Sequence, residues 1–187
     1  MDTKRRCSWC NEKNPLYLAY HDREWGVAGF DDAYLYEMLI LESFQAGLSW
    51  ECVLNKREDF RIAFDGFDPE KVSAYGKEKI KELLSNKKII RNKRKIEAAI
   101  KNSKIFLAIV SEYGSFYAYL KKHTKGNTLY EVGKTTNAFS DTISKDLYGR
   151  GMRFVGSTII YSYLQAVGII YSHEKECFLY RENEVKK

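Results

Sequence analysis

The amino-acid sequence predicts an all-α protein. Across most of its 187 residues, apolar side chains recur three and four positions apart, the spacing of a helix with one buried face. Alternating strand patterns are scarce, and only two prolines, Pro15 and Pro69, interrupt the chain. No linker or repeat marks a boundary, so we treat residues 1–187 as a single domain. Long helices alternate with short ones without a sheet to pack on, and we therefore expect two helical lobes.

The first predicted helix lies within residues 31–50. Apolar residues recur there at positions 35, 38, 39 and 46, and Glu42 falls in the middle of the same face. A carboxylate in that position must be paired, protonated or used in chemistry, because an unpaired buried charge costs several kcal/mol or shifts its pKa. Two interpretations stay open: Glu42 forms a salt bridge with an Arg or Lys, or it belongs to a functional site.

The later helices follow from periodicity and from their end signals. Asp68 is a suitable N-cap for a helix with Pro69 in its first position, while Gly114 and Gly168 are suited to ending helices. We predict a loop over residues 124–136. The predicted helices cover residues 50–64, 76–85, 93–113, 115–122, 140–148 and 158–167, together with a helix that begins at Pro69.

The bulk composition limits the class of protein. The chain carries 31 Lys and Arg against 25 Asp and Glu, and this surplus is consistent with a polyanionic partner. It has a polar N-terminus and no stretch of 18 apolar residues, so we expect a cytoplasmic protein without a membrane partner. In that compartment the four cysteines are expected to be free thiols or metal ligands.

Five potential metal ligands lie near the two ends of the chain: Cys7, Cys10, His21, His173 and Cys177. Thiolate and imidazole are the usual ligands of zinc, and a closed tetrahedral site needs four of them. The Cys-x-x-Cys spacing favours the set that includes Cys10, and the alternative set replaces Cys10 with His21. A redox pair is the third interpretation, although no βαβ pattern surrounds the two cysteines.

Four large aromatic residues, Trp9, Tyr17, Tyr20 and Trp25, fall within seventeen positions that show little regular pattern. Such a cluster either fills a small core or lines a pocket that stacks a flat, electron-poor ligand. A nearby carboxylate such as Glu42 would favour a cationic ligand.

Residues 149–158 form a glycine-rich turn flanked by arginines, between two predicted helices. The second helix offers free N–H groups to an anion, so the segment is either a phosphate-binding site or only a turn. The basic run at residues 87–95 is either a solvated face or part of a nucleic-acid footprint.

Taken in order, these segments resemble the 3-methyladenine DNA glycosylase I family over nearly the whole chain. The segments that carry the resemblance are residues 15–22 (PLYLAYHD), 24–27 (EWGV), 41–50 (LESFQAGLSW), 56–58 (KRE), 89–92 (IIRN), 154–158 (FVGST) and 163–168 (YLQAVG), and the final His-x-x-x-Cys pair.

The resemblance implies a two-lobed, all-α helix-hairpin-helix DNA glycosylase. Such an enzyme flips a damaged base out of alkylated double-stranded DNA and hydrolyses its N-glycosidic bond without a lyase step, releasing 3-methyladenine. We expect it to act as a monomer. The alternative hypothesis is a zinc-stabilised DNA-binding protein without glycosylase activity.

The resemblance also assigns roles to individual residues. One structural zinc would join the terminal segments. Glu42, in its ionised form, would accept a hydrogen bond from the cationic base without having to donate a proton, and Tyr20 would act beside it. The implied zinc ligands are Cys7, His21, His173 and Cys177, and the implied base pocket consists of Trp9, Tyr17, Tyr20, Trp25, Glu42 and Trp50. The implied DNA contacts are a gap-filling loop with Gln45, Gly47 and Leu48, and a phosphate-binding hairpin at 141–168 with Arg153, Val155, Gly156 and Ser157.

One part of the pattern is missing. The wider superfamily usually carries an aspartate shortly after the hairpin, but residues 169–173 contain none, and Ser172 stands where many relatives have an acidic residue. The resemblance therefore leaves the activation of water unexplained, and it assigns no role to Cys10 or Cys52.

Overall fold

A computed structural model describes residues 4–181, so the first three and last six positions of the predicted domain lie outside the described residues. The described chain is mainly helical, as the sequence predicts. Its elements are α1 Pro15–Arg23, α2 Asp32–Gln45, α3 Trp50–Leu54, α4 Arg57–Ala63, a 3-10 turn Asp65–Phe67, α5 Pro69–Ser73, α6 Lys77–Ser85, α7 Lys93–Tyr113, α8 Phe116–Thr124, β1 Leu129–Tyr130, α9 Ala138–Arg150, α10 Ser157–Ala166 and β2 Ile170–Tyr171.

Local end signals placed several helices correctly. The side chain of Asn92 caps α7, and Gly114 ends it in the left-handed conformation with a φ of 85°. Asp68 caps α5 by accepting hydrogen bonds from the backbone N–H groups of Glu70 and Lys71, with Pro69 in the first helical position. These signals depend only on neighbouring residues, which is why they can be identified in the sequence.

Four local predictions need correction. The helix predicted over residues 50–64 is two helices, α3 and α4, because the chain turns at Asn55 and Lys56. The aromatic segment contains α1, capped by the Asn14 side chain. The predicted loop contains β1, which pairs in parallel with β2 over two residues. Helix α9 extends beyond the predicted residues 140–148 at both ends.

Helix α2 passes through the middle of the structure and packs against α3, α7, α8 and α10. Every residue from Met38 to Phe44 on this helix is buried, so the helix has no solvent-facing side in its second half. The core side chains of the described chain form one continuous cluster. Among the described residues, no helix combines the length and apolar character needed to cross a membrane.

Candidate active site and metal centre

The C-terminal half of α2 borders a cavity of about 210 Å³. Helices α1, α3 and α10 supply its other walls, together with the segments before and after α1. The lining residues are Trp9, Tyr17, Tyr20, Trp25, Glu42, Gln45, Trp50, Ser162 and Gln165. All six residues that the resemblance assigned to a base pocket are therefore brought together around one cavity.

The aromatic residues line this cavity as a connected set of rings. The ring centroids of Trp9 and Trp25 lie 4.7 Å apart in an edge-on arrangement, and those of Tyr20 and Trp50 lie 5.3 Å apart. Helix α1 places Tyr17 and Tyr20 one turn apart on the same side. The sequence left open whether these residues fill a core or line a pocket. Because their rings border empty volume, the structure supports the pocket.

Glu42 has no salt bridge among the described residues. Its side chain is almost completely buried, with 3% exposed, and Oε2 has no hydrogen-bond partner there. The nearby cations have other partners. Arg57 pairs with Glu24 at 2.7 Å and with Glu37 at 2.5 Å, while Lys95 donates to backbone carbonyls. The salt-bridge interpretation of Glu42 is therefore not supported.

Burial raises the pKa of Glu42 well above its usual value of 4.5. No cation among its neighbours offsets this effect. The free protein thus favours the neutral carboxyl group, in contrast to the ionised state that the resemblance implies. A cationic ligand in the cavity would supply the charge that favours the carboxylate.

Two other buried polar atoms along the cavity also have no partner in the described chain, Oε1 of Gln45 and Nε1 of Trp50. An unpaired buried polar group costs about 1–3 kcal/mol, so three of them around one cavity indicate a site that is completed by a ligand. The structure places the Gln45 side chain at this cavity, although the resemblance grouped it with the gap-filling loop.

Sequence reasoning missed two lining residues, Ser162 and Gln165. They are three positions apart, so both lie on one face of α10 and bring polar groups to the cavity wall. Gln165 lies within the 163–168 segment that carried the resemblance. Nothing in its local pattern separates it from a solvent-facing glutamine.

The four predicted metal ligands also come together. One donor atom from each of Cys7, His21, His173 and Cys177 lies within 4.8 Å of the others, and all four side chains are buried. Cys10 is not part of this group, and its thiol faces the backbone carbonyl of Tyr17 at 3.9 Å. The structure thus favours the set with His21 over the Cys-x-x-Cys set.

The surroundings of this group suit a metal ion. Nδ1 of His21 lies 2.8 Å from the Asp22 carboxylate, which Arg6 holds in turn, so Nε2 is directed at the Cys177 sulfur, 3.6 Å away. The Cys7 sulfur accepts a hydrogen bond from the backbone N–H of Glu174 at 3.3 Å. Burial lowers the pKa of His173 to about 4, which keeps its imidazole neutral. Burial raises the pKa of the Cys7 thiol, so this sulfur is protonated in the free protein and would lose its proton on binding a metal. Two cysteine sulfurs and two histidine nitrogens form a donor set typical of structural zinc.

The cluster of four donor residues also contacts the cavity wall. The ring of His173 lies 4.7 Å from that of Trp25, and the ring of His21 lies 5.2 Å from that of Trp9. Trp9 and Trp25 are both lining residues. The metal group therefore supports the aromatic side of the cavity as well as joining the two terminal segments.

Helices α9 and α10 are joined by a tight turn over residues 151–156, which we call the hairpin turn. Phe154 adopts a positive φ of 57°, and Ser144 donates to the Val155 carbonyl at 2.7 Å. Gly156 precedes α10, whose first N–H groups receive no side-chain cap. The structure thus leaves these donors available for an anion.

The residues predicted to contact DNA in this turn differ in exposure. Arg153 and Gly156 are exposed, and the Arg153 guanidinium lies over the ring of Tyr148. Val155 is buried and can contact a ligand only through its backbone. The Ser157 hydroxyl donates to the Asp141 carboxylate.

The predicted gap-filling loop follows α2 at residues 46–49, and we call it the α2 loop. Gly47 has a positive φ of 76°, and a Cβ at this position would meet no atom within 4 Å. Leu48 is 42% exposed, unusually so for a leucine next to a buried helix. An apolar side chain is therefore presented to solvent a few residues after Glu42.

Comparisons with known proteins agree over nearly the whole chain. A family model described as methyladenine glycosylase matches residues 9–180. DNA-3-methyladenine glycosylase 1 of Escherichia coli strain K12 is 43% identical over 96% of this chain and 98% of that protein. A crystal structure of 3-methyladenine DNA glycosylase I has 40% identity and a TM-score of 0.89, covering 95% of this chain and all of that one. The Staphylococcus aureus enzyme, whose structure addresses 3-methyladenine recognition, has 32% identity and a TM-score of 0.88, covering 95% and 97%.

Proposed function

Because the chain belongs to the methyladenine glycosylase family, we propose that it excises 3-methyladenine from alkylated DNA by hydrolysing the N-glycosidic bond. The family predicted from the sequence is confirmed. The observation that carries the proposal is the aromatic cavity with a buried, unpaired Glu42 in its wall. This cavity has the size and the polarity for one flipped purine.

The charge of the substrate explains the composition of the cavity. 3-Methyladenine attached to deoxyribose is cationic, so aromatic faces attract it by about 0.5–2 kcal/mol each when desolvated. The same positive charge favours the carboxylate form of Glu42, and binding of the flipped nucleotide therefore releases a proton. Once the bond breaks, the base leaves as a neutral molecule and needs no proton from the enzyme. Glu42 thus recognises the cation rather than acting as a general acid.

The lining residues support a reaction without a lyase step. A glycosylase that also cleaves the strand needs an amine to form a covalent intermediate with the sugar. None of the residues that line the cavity carries an amine. Water is therefore the expected nucleophile, and Ser162 and Gln165 are the polar residues on the α10 side of the cavity.

The metal group has a structural role in this proposal. Cys7, His21, His173 and Cys177 would together supply the four ligands that a structural zinc needs, which would leave no position for substrate or water. When bound, zinc supplies rigidity to the joined termini. These ligands hold Trp9 and Trp25 in place along the cavity.

Two exposed segments are proposed to hold the duplex. The hairpin turn, between helices α9 and α10 of a helix-hairpin-helix, binds backbone phosphate through the free N–H groups at the start of α10. The α2 loop fills the space that the flipped nucleotide leaves, with Leu48 as the apolar wedge.

Replacing Leu48 with alanine is expected to slow excision from duplex DNA about tenfold, because a smaller side chain stabilises the flipped state less well. Single-turnover release of 3-methyladenine from duplex DNA measures this rate. Ile62→Ala is the matched control, since Ile62 on α4 is 72% exposed and lies outside the proposed DNA surface. Equal rates for Leu48→Ala and wild-type protein would exclude the wedge role.

Chromatography of the bases released from methylated duplex DNA tests the proposed activity. We expect free 3-methyladenine, with the DNA strand left intact at the abasic site. Salt-dependent DNA binding without base release would instead support the alternative of a metal-stabilised DNA-binding protein.

A further inference from the structure

Lys95 is a buried lysine that has no carboxylate partner in the described chain. It lies in the first turn of α7, and only 6% of it is exposed. Its ammonium group donates to the backbone carbonyls of Phe44 at 2.8 Å and Ala46 at 2.6 Å. Burying a lysine carries a desolvation cost that these two hydrogen bonds offset only in part, so the burial of Lys95 needs an explanation.

The two carbonyls belong to the end of α2 and the start of the α2 loop. The last carbonyls of a helix have no partner within the helix, and they form the negative end of its dipole. At Ala46 the backbone leaves the helical conformation, with φ −45° and ψ 114°. Lys95 thus holds the chain at the point where it leaves α2. That point is Ala46, which is one residue after Gln45 and two residues before Leu48.

A second residue on α7 holds the hairpin turn in the same way. Asn102 is fully buried; its amide donates to the Arg153 carbonyl at 2.9 Å and accepts from the Arg153 backbone N–H at 2.9 Å. Asn102 follows Lys95 by seven residues, so the two lie on the same face of the helix, about 10 Å apart along its axis. The Lys95 ammonium also lies 5.9 Å from the centroid of the Phe154 ring in this turn.

We propose that Lys95 and Asn102 are positioning residues that hold the α2 loop and the hairpin turn at a fixed spacing along α7. This inference rests on the proposed function, in which both segments engage one duplex. Both side chains bond to backbone groups, so they fix the path of the chain rather than the identity of neighbouring side chains. Neither residue contacts the cavity or needs to contact DNA.

Lys95→Met tests the proposal, because methionine fills a similar volume without the two hydrogen bonds. We expect kcat/KM on methylated duplex to fall at least tenfold. The affinity for free 3-methyladenine should stay within twofold of wild type, since the residue does not line the cavity. The slope of log duplex affinity against log salt concentration should also stay unchanged, because a buried lysine neutralises no phosphate.

Asn102→Ser is the second variant and is expected to reproduce this pattern. Lys104→Met is the matched control: it removes an exposed charge from the same helix and leaves the two Lys95 bonds, to the carbonyls of Phe44 and Ala46, in place. It should keep kcat/KM within threefold of wild type at low salt. Each variant is first checked by thermal unfolding and by its affinity for the free base.

Three results would overturn the proposal: unchanged excision by Lys95→Met, a parallel loss of free-base affinity, or a shallower salt slope. The last would mean that Lys95 binds phosphate directly. Binding to a duplex with an abasic site separates this proposal from the proposed function. If wild-type protein releases no base but Lys95→Met still weakens this binding, the positioning role stands and the glycosylase assignment fails.

Discussion

Replacing Glu42 with alanine is expected to slow the release of 3-methyladenine from methylated DNA about a hundredfold, or about 2.7 kcal/mol in the barrier. The variant loses the only carboxyl group that lines the cavity. Hydrogen bonds to charged groups contribute about 1.5–3 kcal/mol, and here the partner is a desolvated cation. Single-turnover base release at saturating enzyme measures this effect directly.

The control for this substitution is Glu58→Gln, which removes an exposed carboxylate from α4 without touching the cavity. It should excise at the wild-type rate. Glu42→Ala should keep its bound metal and its fold, since Glu42 makes no hydrogen bond through Oε2 in the described chain. A folded, metal-bound Glu42→Ala protein with the wild-type rate would contradict the role of Glu42.

The raised pKa of Glu42 also predicts how stability depends on pH. The unfolded chain loses this proton near pH 4.5, whereas the folded chain holds it to higher pH. The stabilising effect of the protonated group is therefore fully present below pH 4.5 and is lost as pH rises through the folded pKa. Glu42→Gln, which cannot ionise, should gain thermal stability over wild type as pH increases from 4.5 to 8. A constant difference over this range would show that the carboxyl group is not in a desolvated site.

Replacing Cys177 with serine is expected to abolish metal binding and to lower the free energy of unfolding by several kcal/mol. Binding of a structural metal is part of the folding free energy, and here it joins segments more than 150 residues apart in the sequence. Excision should fall as well, because His21 and His173 contact Trp9 and Trp25 in the cavity wall. Metal content by elemental analysis and thermal unfolding measure the two effects on one preparation.

Cys10→Ser is the matched control, since Cys10 is also a buried cysteine near the N-terminus but is not among the four clustered donors. It should keep the metal and lose little stability. Loss of metal from Cys10→Ser with retention in Cys177→Ser would contradict the proposed ligand set.

The sequence predicted those features that depend on neighbouring residues. Gly114 marked the end of α7, and the conflict between apolar periodicity and charge identified Glu42. The Cys-x-x-Cys spacing favoured Cys10 over His21 as a metal ligand, whereas the structure clusters His21 with the other three donors. The position of His21 depends on α1, which directs its ring toward the C-terminal segment. Helix α1 was not predicted, because the aromatic residues in its sequence do not form a regular helical pattern.

Other residues of the site could not be found from local patterns. Ser162 and Gln165 resemble ordinary polar positions on an apolar helix, and only the packing of α10 against α2 brings them to the cavity. Lys95 lies in a run of basic residues that has the composition of a solvated face. It is buried because α7 packs against the end of α2. This contact joins Lys95 to Phe44, which are about 50 residues apart in the sequence.

The most direct test of the central claim uses the intrinsic fluorescence of the protein. The chain has three tryptophans, and Trp9, Trp25 and Trp50 all line the cavity. Titration with free 3-methyladenine should therefore change the tryptophan emission in a saturable manner, with a much weaker response to adenine and a reduced affinity in Glu42→Ala. Release of 3-methyladenine from DNA by a protein whose tryptophan emission does not respond to the base would contradict the assignment of this cavity.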